Sequence, residues 1–240
     1  MTRPVGPVAS ATEGPAARPI AAAFFDVDET LVRFKSMFRF LAYHFQARGL
    51  PGERYREVAE HLMARAAAGS PRAETNRDYY RSYTGRPVRE VMRHGEEWFA
   101  QESARGGVWH RPVVAALARH RRAGALIVLV SGSFPPCLEP VRRPVGADVL
   151  LCSRPEITDG VYTGVLETPV IGEEKARAAL ELLAERGISP ENAAAYGDHA
   201  SDLPLLSAVG HPVAVGSDAL LRSYVEEAGG NLLPGISEGV

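Results

Sequence analysis

Ile20-Ala21-Ala22-Ala23-Phe24-Phe25-Asp26-Val27-Asp28-Glu29-Thr30 is the stretch on which the reading of the whole chain turns. From Ile20 to Phe25 it is apolar without a break, as expected of a strand buried on both faces. It then stops at two carboxylates two positions apart, followed by a hydroxyl. If the strand persists that far, its period of two puts Asp26 and Asp28 on one side. Neighbouring like charges repel, and a fold keeps them when something offsets the cost, most simply a divalent cation. A solvated Asp-rich turn after a strand explains this stretch alone equally well.

The rest of the composition narrows the function classes. A chain of 240 residues buries a sizeable core and has room for one large domain carrying a smaller insertion. With 45% hydrophobic and 23% charged residues it has the make-up of a soluble globular protein. A net charge of -2 provides no electrostatic footprint for nucleic acid or an anionic membrane. The apolar run Ala125 to Val130 is far too short to span a bilayer. Residues 1–19 are rich in Pro, Ala and Gly, and read as a disordered tail and not as a signal peptide. Cys137 and Cys152 lack CxxC spacing, which fits free thiols in a reducing cytoplasm. No obligate protein partner is evident. Of the 27 basic residues only Lys35 and Lys175 are lysines, so each is a candidate for a place that needs a compact ammonium.

After Thr30 the apolar spacing becomes helical. Ser36 is placed as the N-cap of a first helix that Gly49 stops, and further helices follow at about 52–68, 71–83 and 87–105. Residues 35–108 thus form an all-helical insertion. From Arg111 onward helices and strands alternate, with strands at 125–130, 147–152, 192–196 and 212–215 and an Asp159-Gly160 hairpin turn. The last element expected is a helix over 218–228. Such alternation predicts an α/β fold, a doubly wound parallel sheet.

Ligands of these sheets bind beyond the carboxyl ends of the strands, and four places there carry chemistry. The first is Asp26-x-Asp28-x-Thr30. The second is Ser131-Gly132-Ser133, where a hydroxyl and a glycine amide suit an anionic oxygen, although an ordinary turn explains it too. The third is Lys175 in the first turn of its helix, an unfavourable end for a cation unless an anion lies nearby. A solvated lysine is the alternative. The fourth is Gly197-Asp198-His199-Ala200-Ser201-Asp202, in which Asp198 and Asp202 converge on one cation or Asp202 merely caps its helix.

With these motifs in this order, the chain from Ile20 onward resembles the haloacid-dehalogenase-like superfamily of phosphohydrolases. The helical insertion looks like the C1 cap of the phosphoserine-phosphatase-like branch (subfamily IB). The resemblance implies a core of 20–34 and 109–240, a cap of 35–108, and a Mg²⁺-dependent phosphomonoesterase acting on a small phosphorylated metabolite. It further implies that Asp26 is the nucleophile that becomes an aspartyl phosphate and that Asp28 is the general acid and base. Ser131 and the amide of Gly132 bind the phosphoryl oxygens, Thr30 orients the first motif, and Lys175 neutralises the charge. Asp26, the Asp28 carbonyl and Asp198 hold Mg²⁺, with Asp202 supporting through water or lysine. A phosphotransferase using the same intermediate, or a non-catalytic scaffold of the same fold, are the alternatives.

Two departures bear on substrate. Glu29 stands where many relatives carry Gly or Ser. Lys35 lies nine residues after Asp26, where phosphoserine phosphatases carry a glutamate that reads the substrate ammonium. A lysine there disfavours phosphoserine and favours a second anionic or hydroxylated group. The aromatic residues Phe38, Phe45, Tyr79, Tyr80 and Tyr83, with Arg81, line a substrate pocket or, at helical spacing, form the cap core.

Overall fold

The computed structural model describes residues 19–236, so the expected tail lies outside the described residues apart from Pro19. The chain begins with β1 (Ala22–Asp26), then the helices α1 (Ser36–Ala47), α2 (Gly52–Ala67), α3 (Arg72–Tyr80) and α4 (Val88–Arg105). It continues through α5 (Arg111–Arg122), β2 (Leu126–Ser131), α6 (Pro135–Val145), β3 (Val149–Cys152) and a small hairpin, β4 (Ile157–Thr158) with β5 (Val161–Tyr162). It ends with α7 (Glu173–Glu185), β6 (Ala193–Gly197), α8 (Leu203–Ser207), β7 (His211–Val215), α9 (Ala219–Glu227) and β8 (Asn231–Leu233).

Six strands form one sheet in the order β3-β2-β1-β6-β7-β8, and every pair is parallel. Alternate residues of each strand enter different cores. Ala23, Phe25, Ile127 and Leu129 face α5 and α6, whereas Ala22, Phe24, Val128 and Val130 face α7, α8 and α9. Burial on both faces is why the strands read as unbroken apolar runs. The connections run outward from β1 in both directions, so the crevice between β1 and β6 is the switch point where such folds hold ligands.

Two sequence expectations change here. The edge strand β8 was not expected, because three residues after Gly229-Gly230 carry no periodicity and only their pairing with β7 makes them a strand. Ser36 is not the cap of α1. Lys35 takes that position, and the Ser36 amide donates to Asp28 Oδ1 at 3.1 Å. The carboxylate eight residues back therefore satisfies the first turn of α1.

Helices α1 to α4 have no core of their own. One apolar cluster runs from Phe25 and Ile127 through Phe134 to Phe40, Tyr79, Tyr80, Tyr83 and Trp98. Phe134, at the N-cap position of α6, packs its ring tilted against Tyr83 and edge-on against Tyr80, with ring centroids 4.9 and 5.2 Å apart. Phe45 is buried in the same cluster, Phe38 packs at its margin, and Arg81 is exposed and paired with Asp78. The aromatic residues thus join the helical block to the sheet. No helix among the described residues is long and apolar enough to cross a membrane.

A close approach between helices is at Gly95 of α4, where an added Cβ would lie 2.0 Å from the Pro136 carbonyl oxygen of α6. An alanine normally gains up to about 1 kcal/mol over glycine in a helix. Here the obstacle is backbone and cannot swing away, so overpacking of about 1–3 kcal/mol wins. Gly95→Ala is expected to lower the melting temperature by several degrees, read by circular dichroism; an unchanged or higher value would show that α4 and α6 do not pack so tightly.

Candidate active site

At the carboxyl ends of β1 and β6, three segments remote in sequence meet around one ammonium. Lys175 in the first turn of α7 donates to Asp26 Oδ1 at 2.5 Å and to Asp202 Oδ1 at 2.6 Å. All three residues are buried, Lys175 being 4% exposed. Carboxylate oxygens of Asp26, Asp198 and Asp202 all lie within 4.8 Å of one another. Lys175 does not follow a strand directly, as the sequence order suggested. It comes after the β4–β5 hairpin, and the start of α7 carries it back to the strand ends.

The loop after β6 is shaped for this meeting. Gly197 has no room for a Cβ, which would lie 2.5 Å from the Cβ of Asp202, so the chain can fold Asp202 back beneath the strand end. Asp202 does not cap α8 with its side chain. Its second oxygen accepts from the His199 amide at 3.3 Å, and His199 Nδ1 in turn accepts from the Ser201 amide at 3.0 Å. That reciprocal pair gives His199 and Ser201 a role in holding the loop. Asp218 holds it from the other side, accepting from the Ala200 amide.

Thr30 is fully buried and donates to Asp198 Oδ1 at 2.7 Å, tying the first loop to the fourth. Its carbonyl faces His110 Nδ1 at 3.0 Å. Glu29 has φ 62°, a left-handed conformation that glycine adopts most easily. Its carboxylate lies 3.4 Å from Lys35 Nζ at the exposed rim. Lys35 is therefore placed outside the buried cluster, with its charge largely matched.

Ser131 ends β2, and its Oγ accepts from the Ser133 amide at 3.1 Å, which leaves the hydroxyl proton to donate elsewhere. The Gly132 carbonyl accepts from Tyr80 Oη at 2.9 Å and from Asn76 Nδ2 at 3.1 Å, both on α3. Asn76 Oδ1 is buried without a partner among the described residues. Sequence reasoning missed Asn76, because the polar run Arg72-Ala73-Glu74-Thr75-Asn76-Arg77-Asp78 reads as a solvated helix face. It also missed the Ser36 amide, and no local signal marks either contact.

The electrostatics follow from burial. Removal from water raises the Asp26 carboxyl from 3.8 to about 7, and the nearby Lys175 ammonium only partly opposes this. Asp28 is likewise raised to about 7 by burial, against the pull of its Ser36 hydrogen bonds. Asp198 rises to about 6 for the same first reason. Burial opposes the Lys175 charge, but Asp202 and Asp26 outweigh it and hold the ammonium charged well above the usual lysine range. Four carboxyls around one ammonium leave an excess of negative charge, and an oxygen-only set of this kind fits a hard divalent cation such as Mg²⁺. A cavity of about 240 Å³ lined by Glu29, Asp198, Asp218 and Gly216 opens beside the cluster. A larger one lies elsewhere, in the helical block.

Residues 23–207 match the family model described as haloacid dehalogenase-like hydrolase. A protein of Streptomyces azureus named for inhibition of morphological differentiation is 30% identical over 85% of this chain and 74% of its own length. A probable phosphatase of Mycobacterium tuberculosis is 32% identical over 90% and 76%, and a phosphoserine phosphatase of the same organism is 33% identical over 87% and 69%. A Bordetella pertussis protein of unknown function superposes with a TM-score of 0.79 at 26% identity, over 90% of this chain and 99% of that one. A phosphoserine phosphatase solved as a phospho-aspartyl intermediate analogue shares the fold, with a TM-score of 0.64 at 18% identity over 90% and 94%. Strand order, the residues at the strand ends and the matched span agree: the chain belongs to the haloacid dehalogenase-like hydrolase family.

Proposed function

We propose that the protein is a Mg²⁺-dependent phosphomonoesterase that hydrolyses a small phosphorylated metabolite through an aspartyl phosphate on Asp26. The observation that carries this reading is the buried Lys175 ammonium between Asp26 and Asp202, with Asp198 alongside. An attacking carboxylate repels a phosphate dianion, and charge stabilisation is what this chemistry needs. The phosphatase names of the relatives support the same reading.

Asp26 attacks phosphorus and the ester P–O bond breaks. Asp28, carrying a proton because its carboxyl is raised to about 7, delivers it to the leaving oxygen. Asp28 then takes a proton from the water that attacks the aspartyl phosphate, releasing inorganic phosphate and the free Asp26 carboxylate. The Ser131 hydroxyl and Gly132 amide orient the phosphoryl oxygens. Asp26, Asp198 and the Asp28 carbonyl would hold Mg²⁺, which supplies positive charge to the phosphoryl group. Asp202 acts through Lys175, to which one of its oxygens is committed, and Thr30 acts through Asp198. Helices α1–α4 form the cap. The unpartnered Asn76 Oδ1 suits a substrate hydroxyl, and the Lys35–Glu29 pair at the rim suits an ammonium poorly.

Asp26→Asn is expected to cut turnover of p-nitrophenyl phosphate to below about one-thousandth of wild type; retained activity would refute the nucleophile. The same variant should be more heat-stable than wild type at pH 8 without metal. The folded carboxyl titrates near 7 and the unfolded one near 3.8, so stability is full below about pH 4 and lost as pH rises through 7. Asparagine removes that loss, and a melting scan with chelator at pH 4 and pH 8 reads it.

Asp28→Asn should lower kcat on an alkyl phosphate by about 10²–10⁴. The loss on p-nitrophenyl phosphate should be smaller, since that leaving group needs no proton. Equal losses would deny Asp28 the acid role. Phosphoserine is expected to be a poor substrate, improved relative to glycerol phosphate by Lys35→Glu. Preferential turnover of phosphoserine by the wild-type protein would overturn the selectivity of Lys35.

A further inference from the structure

The cavity in the helical block lies between the end of α1 and the start of α4. It measures about 740 Å³ and is lined by Ala47, Arg48, Arg86, Pro87, Arg89, Glu90, Arg93 and His94. It is a polar depression largely open to solvent, wide enough for a small charged ligand. Ser36, at the other end of α1, touches Asp28, and twelve residues of helix rise about 18 Å, so this cavity is remote from the catalytic aspartates.

Its charges are not balanced. Four guanidinium groups face one carboxylate in the cavity, Glu90, and a second, Glu97, that pairs with Arg93 at 2.7 Å. The side chains of Arg48, Arg86 and Arg89 make no hydrogen bond or ion pair among the described residues. Arg48 and Arg86 are both half-buried, and burial together with the neighbouring Arg86 charge pushes Arg48 below the usual arginine range. Guanidinium groups held close with only Glu90 to offset them are costly unless an anion joins them. The first turn of α4 adds the positive end of an 18-residue helix.

The site is also held in shape. Tyr162 of the hairpin donates its amide to the Arg86 carbonyl at 2.9 Å, Gly85 donates to the Tyr162 carbonyl at 2.8 Å, and Val88 to the Gly160 carbonyl at 2.9 Å. Beneath it Arg93 Nη2 lies 3.2 Å from His94 Nε2, and His94 Nδ1 lies 2.8 Å from His44 Nδ1. A guanidinium only donates, so His94 Nε2 accepts and its proton sits on Nδ1, shared with His44. Both imidazoles are thereby committed as neutral partners, burial lowering each, and they add no charge of their own.

We infer that this cavity is a second anion site, which binds a small solute with two or more phosphate-type charges through the forks of Arg48 and Arg86. It lies outside the catalytic cluster and stands whether or not the proposed hydrolysis is correct.

The test is calorimetric titration of the full chain with inorganic pyrophosphate in chelator, where the metal-free aspartate cluster repels anions. One saturable site is expected, weakened by salt and at least about tenfold by each of Arg48→Ala and Arg86→Ala. Without pyrophosphate, turnover of p-nitrophenyl phosphate should be unchanged in both variants. If either variant does not fold, Arg48→Lys keeps the charge without the fork and should bind more weakly than wild type. No binding, or binding lost in Lys175→Ala and kept in the arginine variants, would overturn the site. So would Zn²⁺ binding that is lost in His44→Gln and unaffected by pyrophosphate, which would make the cluster of His44, Glu90 and His94 a cation site.

Discussion

The ammonium of Lys175 organises the structure around itself. Taking it out of water is costly, and two carboxylates at 2.5 and 2.6 Å repay the cost. Those carboxylates come from the end of β1 and from the loop after β6, and the lysine comes from α7. The sheet, the loop after Gly197 and the start of α7 must therefore all be in place together. Even so, one cation does not balance Asp26, Asp28, Asp198 and Asp202. Burial, with the neighbouring carboxylates adding to it, raises three of their carboxyls to about 6–7. The folded protein consequently carries a site that protons or a divalent cation must complete, a stability cost of the sort found where chemistry is done.

Helices α1 to α4 are coupled to that site by packing and by hydrogen bonds. Tyr80 and Asn76 reach from α3 to the Gly132 carbonyl, so the loop after β2 is shaped partly by the helical block. Gly95 against Pro136 and the aromatic residues around Phe134 make the junction tight. The start of α1 meets Asp28 directly. The helical block and the strand-end carboxylates thus share the same few contacts.

The rim differs from the interior. Glu29 keeps a left-handed backbone position that glycine would occupy with less strain, and its side chain pairs with Lys35. Exposed pairs of this type contribute about 0–1 kcal/mol. Changes at the rim therefore cost the fold little, while changes in the buried cluster do not.

Much of the fold was legible in the order of residues. Continuous apolarity marked the central strands because both sheet faces are covered, and the break at Gly49 marked the end of α1. Asp26 and Asp198 stood out because they end apolar strands, and Lys175 because lysine is scarce in this chain and a first helical turn is an unfavourable place for one. Three features were decided by tertiary structure alone. The strand β8 exists only through its pairing with β7. Ser36 gives its amide to Asp28, and Asn76 gives its side chain to Gly132, contacts 8 and 56 residues apart that leave no local periodicity. Asp202, which the resemblance tied to water or lysine, reaches Lys175 because the bend at Gly197 turns it there. Sequence determines which residues are costly to bury, through composition and spacing; which partner relieves each cost depends on distances that arise only when the chain has folded.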